Sequence, residues 1–217
     1  MNLDELEARI GRVRDRLARA GGTDVRVVAV SKTFPAEAID AVVAAGIGDI
    51  GENYAQEAVA KLLEIRSAPT VHFIGRLQRN KVRQLAPFVD IWQSVDRPEL
   101  VVEIAKRQAG ATILLQVDIS DEEAKGGCAP SAIEPLLELA GEHGLHVAGL
   151  MGVALLAEPE QARPGFRLLR QLTDRFGLVE CSMGMSADLE VAVDEGATMV
   201  RIGRDLFGPR PEVSAPR

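Results

Sequence analysis

The chain has 217 residues, 47 % of them apolar and 26 % charged, an ordinary globular composition with length for one large domain. Lys and Arg number 25 against 32 Asp and Glu, and the net charge of −7 argues against a nucleic-acid partner held through phosphate contacts. No apolar run nears the ~20 residues of a membrane span, the acidic start Met1–Glu5 carries no signal region, and two cysteines exclude a disulfide framework, so a cytoplasmic protein is expected.

Leu3 to Ala20 places apolar residues at 3, 6, 10, 13, 17 and 20, the spacing of an amphipathic helix, and Gly21-Gly22 ends it. A helix packed on the body of the domain is expected rather than a coiled-coil seam, because the pattern spans under three heptads. From there apolar runs and helical patterns alternate. Strands are predicted at 25–31, 47–51, 71–75, 91–95, 112–119, 146–151, 178–182 and 199–202. Helices are predicted at 35–45, 54–66, 78–86, 98–108, 131–143, 160–176 and 187–195, with a short helical stretch near Asp205.

Repeated βα units imply parallel strands with right-handed crossovers. The strands are short and almost wholly apolar, as strands covered on both faces must be. Eight such units predict an α/β fold, a single (β/α)8 TIM barrel with an extra N-terminal helix, filling residues 1–208 and followed by a Pro-rich tail at 209–217. An open doubly wound sheet is the alternative, but Ser31-Lys32-Thr33 after the first strand is no glycine fingerprint.

Barrel chemistry collects at the C-terminal ends of the strands. Lys32 directly follows the first strand, in a chain whose 25 basic residues include only five lysines. A lysine held at that rim is partly desolvated, which lowers its pKa and frees the amine to attack an aldehyde; a lysine that snorkels to water or pairs with a carboxylate would look the same. After strands seven and eight, Ser182-Met-Gly-Met-Ser186 and Gly203-Arg204-Asp205 offer hydroxyls and backbone amides entering a helix, where barrels often bind phosphate. Ordinary turn glycines and serine caps would give the same strings. A reactive amine opposite a phosphate cradle suggests a phosphorylated aldehyde: pyridoxal 5′-phosphate (PLP), or a sugar phosphate in a lysine aldolase. Arg201 sits at the strand end suited to face a pyridine nitrogen.

Ala-Val-Ser-Lys-Thr (29–33), Gly-Glu-Asn-Tyr (51–54), His-Phe-Ile-Gly (72–75), Leu77-Gln78, Asn80-Lys81, Ser-Val-Asp-Arg (94–97), Gly-Leu-Met (149–151), Ser-Met-Gly-Met-Ser (182–186), Val-Arg-Ile-Gly (200–203) and Leu-Phe-Gly (206–208) stand in a joint order that is highly specific. The chain thereby resembles the pyridoxal phosphate homeostasis protein family. The resemblance spans Ala29 to Gly208 and implies a barrel like the N-terminal domain of alanine racemase. It implies that Lys32 holds PLP as a Schiff base, that Asn53 lies beside the ring, and that Met151 lines the pocket. Ser186 and the backbone amides of Gly203 and Arg204 would hold the phosphate, Arg201 would face the pyridine nitrogen, and Lys125 would lie on a loop over the pocket. Phe34, Arg79 and Cys181 depart from the family's pattern.

A cation at Arg201 keeps the pyridine nitrogen unprotonated and weakens the cofactor as an electron sink. Racemases of similar fold add an opposing tyrosine from a second domain, whereas Tyr54 is the single tyrosine here. The resemblance therefore implies a monomeric, non-enzymatic PLP carrier that yields its cargo to amino acids or apo-enzymes; an amino-acid racemase and a sugar-phosphate aldolase are the alternatives. His72, among apolar neighbours, is expected to be a satisfied core histidine. Asp96 and Asp118 are expected to act as caps or loop ion pairs, Cys181 to be buried and inert, and Arg76, Arg79, Lys81 and Arg83 to form a solvated helix face.

Overall fold

A computed structural model describes residues 2–120, 126–154 and 158–209. Its first helix, α1 (Leu3–Arg19), is capped by Asn2, whose Oδ1 accepts from the amide of Asp4 at 3.0 Å. Asp4 and Glu5 lie in its first turn and Arg16 and Arg19 in its last, the order that complements the helix dipole. Its stripe of Leu6, Ile10, Val13 and Leu17 is buried against the barrel, as the spacing predicts.

The strands are β1 (Arg26–Val30), β2 (Asp49–Glu52), β3 (Thr70–Phe73), β4 (Ile91–Val95), β5 (Thr112–Val117), β6 (His146–Gly152), β7 (Glu180–Ser182) and β8 (Met199–Ile202). They pair in sequence order, all parallel, and β8 closes on β1 through Val28↔Arg201 and Ala29↔Ile202. Between them run α2 (Ala36–Ala44), α3 (Ala55–Leu62), α4 (Arg79–Leu85), α5 (Pro98–Arg107), α6 (Ile133–Glu142), α7 (Arg163–Arg175) and α8 (Leu189–Asp194); α9 (Arg204–Phe207) follows β8. The predicted (β/α)8 barrel with its added N-terminal helix is the fold observed. α3 is shorter than its pattern, because the Asp40 carboxylate accepts from the amides of Arg66 and Ser67 at 3.0 and 2.9 Å and pins that stretch to α2.

The main core lies between strands and helices, around Trp92, Phe73, Phe166, Leu100, Ile104 and Ile113, all fully buried. The barrel interior is different. Ser182 of β7 donates to Gln93 of β4 at 2.7 Å, a bond between strands three apart around the barrel, so it passes through the lumen. Barrel interiors are more usually filled by branched aliphatic layers. Here Arg201, Ser182, Gln93 and His72 are all buried and joined to one another by hydrogen bonds.

Candidate functional site

The turn after β1 brings Lys32 to the C-terminal rim. A small cleft of about 100 Å³ is lined by Val30, Lys32, Phe34, Gly203, Arg204 and Gly208. It joins the amine-bearing turn of the first βα unit to the start of α9, uniting three of the residues singled out from the sequence. Phe34 stacks on Phe207 with ring centroids 4.9 Å apart and forms one edge of that junction. The aromatic departure at position 34 thus has a packing partner in the Leu-Phe-Gly string.

Arg201 is buried in β8. Its Nη1 donates to Ser182 Oγ and its Nη2 to the carbonyl of Gly152, both at 2.7 Å. Burial lowers its pKa to about 10, partly offset by Asp188, and the guanidinium remains a cation at neutral pH. Met151 lies on β6 in register with Ser182, so Met151, Ser182 and Arg201 descend from three adjacent strands.

Asn53, at the end of β2, borders a second cavity of about 240 Å³ with Tyr54, Phe73, Arg76 and Lys81. Its Oδ1 is buried and has no hydrogen-bond partner among the described residues. Gly75 passes so close that a Cβ there would lie 2.0 Å from the Asn53 carbonyl oxygen, so the third βα turn fixes the position of Asn53. Tyr54 is half exposed and lines this cavity rather than packing in the core. A larger open cavity, lined by residues that include Arg76, Asp96, Arg97, Asp118 and Gly127, adjoins the strand ends β3 to β5.

Ser186 lies on the turn after β7, where Gly184 takes φ +91° and Met185 N–H donates to the Asp188 carboxylate at 2.6 Å. It does not line the Lys32 cleft. Its carbonyl accepts from Arg16 Nη2 at 2.8 Å, and Arg16 also binds Glu190 through two oxygens and Asp205 at 2.7 Å. One arginine of α1 therefore ties together the turn after β7 and the start of α9. Sequence reading missed it, since Arg16 sits on the polar side of an amphipathic stripe like any solvated arginine. Lys125 lies outside the described residues.

Of the remaining expectations, those for His72, Asp96, Asp118 and the burial of Cys181 are met, and that for the basic helix face is not. His72 is fully buried between Asp49 and Gln93, with ring nitrogens 2.9 and 2.7 Å from their partners. Asp96 pairs with Arg97 at 2.5 Å, and Asp118 Oδ1 accepts from the Ser120 amide at 3.0 Å. Cys181 is buried with its thiol raised to about 11 by desolvation. Arg79 and Arg83 are exposed on α4, but Lys81 is half-buried and Arg76 precedes the helix, and both line the cavity beside Asn53, so the four basic residues do not form one solvated helix face.

The comparisons with known proteins bear on this geometry. Residues 1–211 match the family described as alanine racemase, N-terminal domain. A pyridoxal phosphate homeostasis protein of Pseudomonas aeruginosa is 41 % identical over 218 residues, covering 96 % of this chain and 94 % of that one. The chain belongs to the pyridoxal phosphate homeostasis protein family. Its counterpart in Aquifex aeolicus is 40 % identical, covering 93 % of this chain and 97 % of the other. Among solved structures, PipY of Synechococcus elongatus with PLP bound superposes with a TM-score of 0.83 at 32 % identity, over 94 % of this chain and all of that one. Alanine racemase of Clostridium difficile shares the fold alone, at a TM-score of 0.77 and 14 % identity, over 60 % of its own length.

Proposed function

We propose that this protein binds PLP and serves its intracellular homeostasis, holding the aldehyde reversibly on Lys32 and releasing it to amino acids or apo-enzymes without a dedicated catalytic cycle. The observation that carries this reading is the cleft that sets Lys32 against Gly203 and Arg204, in a family whose PipY member has been solved with PLP bound. The residues present fit that group: an amine-bearing residue at the rim, Gly203 and Arg204 at the start of α9 across the cleft, a buried guanidinium, and the orphaned Oδ1 of Asn53.

When bound, PLP supplies an aldehyde that condenses reversibly with a primary amine. In this reading Lys32 provides the amine, and Ser186 with the amides of Gly203 and Arg204 holds the phosphate. Arg201 would present its positive charge to the pyridine nitrogen and disfavour a proton there. Asn53 would lie beside the ring and Met151 would line the pocket wall. A cation in place of an acid weakens electron withdrawal, which favours holding the aldehyde over breaking bonds α to an amine. In this reading the protein acts as a monomer that shelters the aldehyde until a client takes it.

The test is an absorbance spectrum of the purified protein with PLP, before and after borohydride. A visible band that borohydride abolishes, and that Lys32→Ala lacks, is expected. Racemisation of alanine or serine at ordinary enzyme rates would overturn the carrier reading, and tight binding of sugar phosphates without any PLP band would favour an aldolase.

A further inference from the structure

Lys61 is a lysine on the buried face of α3, beside Ala58 and Leu62. Its Nζ lies 2.8 Å from the carbonyl oxygen of Ser31, 2.8 Å from Glu57 Oε1 and 2.5 Å from Glu52 Oε1. The same Glu57 oxygen accepts from the backbone amide of Thr33. Ser31 Oγ donates to Glu52 Oε1 at 2.6 Å. Ser31 and Thr33 are the two chain neighbours of Lys32, so one ion cluster grips the backbone on both sides of it.

What is gripped is a strained turn. Thr33 has φ +69°, and it is the single non-glycine residue at positive φ among the described residues. A β-branched residue is a genuine outlier in that region. The Thr33 hydroxyl is also buried with no hydrogen-bond partner. Neither feature stabilises the turn, whose one internal bond runs from the Phe34 amide to the Ser31 carbonyl at 3.0 Å, and such conformations persist when surrounding structure over-determines them. The Lys61–Glu57–Glu52 cluster is that surrounding structure. A buried lysine held by two carboxylates is costly to desolvate, so such a cluster is a weak source of net stability.

We infer that Lys61 and Glu57 are positioning residues for Lys32: they hold residues 31 and 33 so that the strained turn aims the Lys32 side chain into the cleft it shares with Gly203 and Arg204. The inference rests on the reading of Lys32 as the aldehyde-binding amine. It assigns the acidic member of Gly-Glu-Asn-Tyr, Glu52, a partner in the same device. Glu52 neutralises the buried Lys61 and accepts from the Ser31 hydroxyl, while the neighbouring Asn53 faces the second cavity.

The experiment compares two ligands on four proteins. PLP reports on covalent capture, and pyridoxine 5′-phosphate, which has an alcohol in place of the aldehyde, reports on the ring and phosphate contacts alone. The proteins are the natural chain, Glu57→Ala, Lys61→Met, and the double variant Glu57→Ala/Thr33→Gly. Dissociation constants are taken by fluorescence, covalent capture by borohydride trapping and mass spectrometry, and folding by circular dichroism. Glu57→Ala and Lys61→Met are expected to weaken PLP binding about tenfold and to leave pyridoxine 5′-phosphate within about twofold. Glycine is at ease at φ +69°, so Thr33→Gly is expected to restore much of the lost PLP affinity in the Glu57→Ala background. If Lys61→Met does not fold, the half-buried Glu57 decides the matter through its own variant. Equal weakening of both ligands, unchanged PLP binding, or no rescue by glycine would overturn the inference. A natural chain that traps no PLP on Lys32 would instead overturn the functional reading beneath it.

Discussion

Arg201 Nη1 donates to Ser182 Oγ at 2.7 Å, and that bond begins a one-way line of donors through the barrel. Because Ser182 accepts there, its own hydroxyl proton goes to Gln93 Oε1. Gln93 Nε2 then donates to His72 Nδ1, which leaves His72 to donate from Nε2 to Asp49 Oδ1. The line starts at a cation near the rim and ends at an anion at the start of β2. Every member has one role available to it.

Ser182→Ala breaks this line at its second member. It leaves Gln93 Oε1 and one Arg201 N–H without their buried partner, and an unsatisfied buried group costs about 1–3 kcal/mol. The expected result is a loss of that size in urea denaturation, together with weaker PLP binding as Arg201 loses its anchor. In the natural protein, nitrogen-15 NMR is expected to show His72 as the Nε2–H tautomer. An Nδ1–H signal would contradict the direction assigned to the line.

Arg16→Ala tests the tie between α1 and the two rim loops. Arg16 makes charge-assisted bonds to Glu190 and Asp205 and a further bond to the Ser186 carbonyl. These ions are partly exposed, so the expected destabilisation is about 1–2 kcal/mol. Loss of the tie loosens the turn at Ser186 and the start of α9 together. Affinity for PLP and for pyridoxine 5′-phosphate is expected to fall in parallel, unlike the clamp variants around Lys32. Isothermal titration with the two ligands separates the cases.

Two carboxylates give stability opposite slopes with pH. Hydrogen bonding to Arg16 lowers the pKa of Glu190, so its contribution is present above the unfolded value near 4.5 and is lost as pH falls. Burial raises the pKa of Glu52, against the pull of Lys61, so the folded state holds that proton longer than the unfolded chain does. Stability linked to Glu52 is therefore full below 4.5 and declines as pH rises through its higher folded value. Glu190→Gln is expected to flatten the acid side of a urea-midpoint profile, and Glu52→Gln the decline above it.

Cys128 and Cys181 are both buried, and desolvation raises each thiol to about 11. Thiolate is the reactive form. A disulfide exchange reagent at pH 8 is expected to label neither cysteine in the folded protein and both in denaturant. Rapid labelling of either without denaturant would show that its surroundings open.

The barrel was legible because each unit carries its own signal: a short, mostly apolar run, then apolar residues at helical spacing. All eight strands fall where those runs lie, and the rim residues follow from the strand ends. Lys61 was visible only as one of five lysines, four residues after Glu57; that it reaches back to Ser31 depends on α3 packing beside β1. Gln93 stood in Ile-Trp-Gln-Ser-Val as one polar residue in a strand, with nothing to say that its partners would come from β3 and β7. Local pattern shows which residues a strand presents inward. Which distant groups meet across the lumen is set by barrel closure, which no window of sequence contains.

The stacked pair Phe34 and Phe207 has a consequence in time. The two walls of the Lys32 cleft come from residues 30–34 and 203–208, near opposite ends of the chain. During synthesis the first wall leaves the ribosome long before the second exists. A nascent chain therefore has the lysine but no pocket, and in the proposed role sheltering of a reactive vitamer begins only once the second wall has been made and has packed against the first.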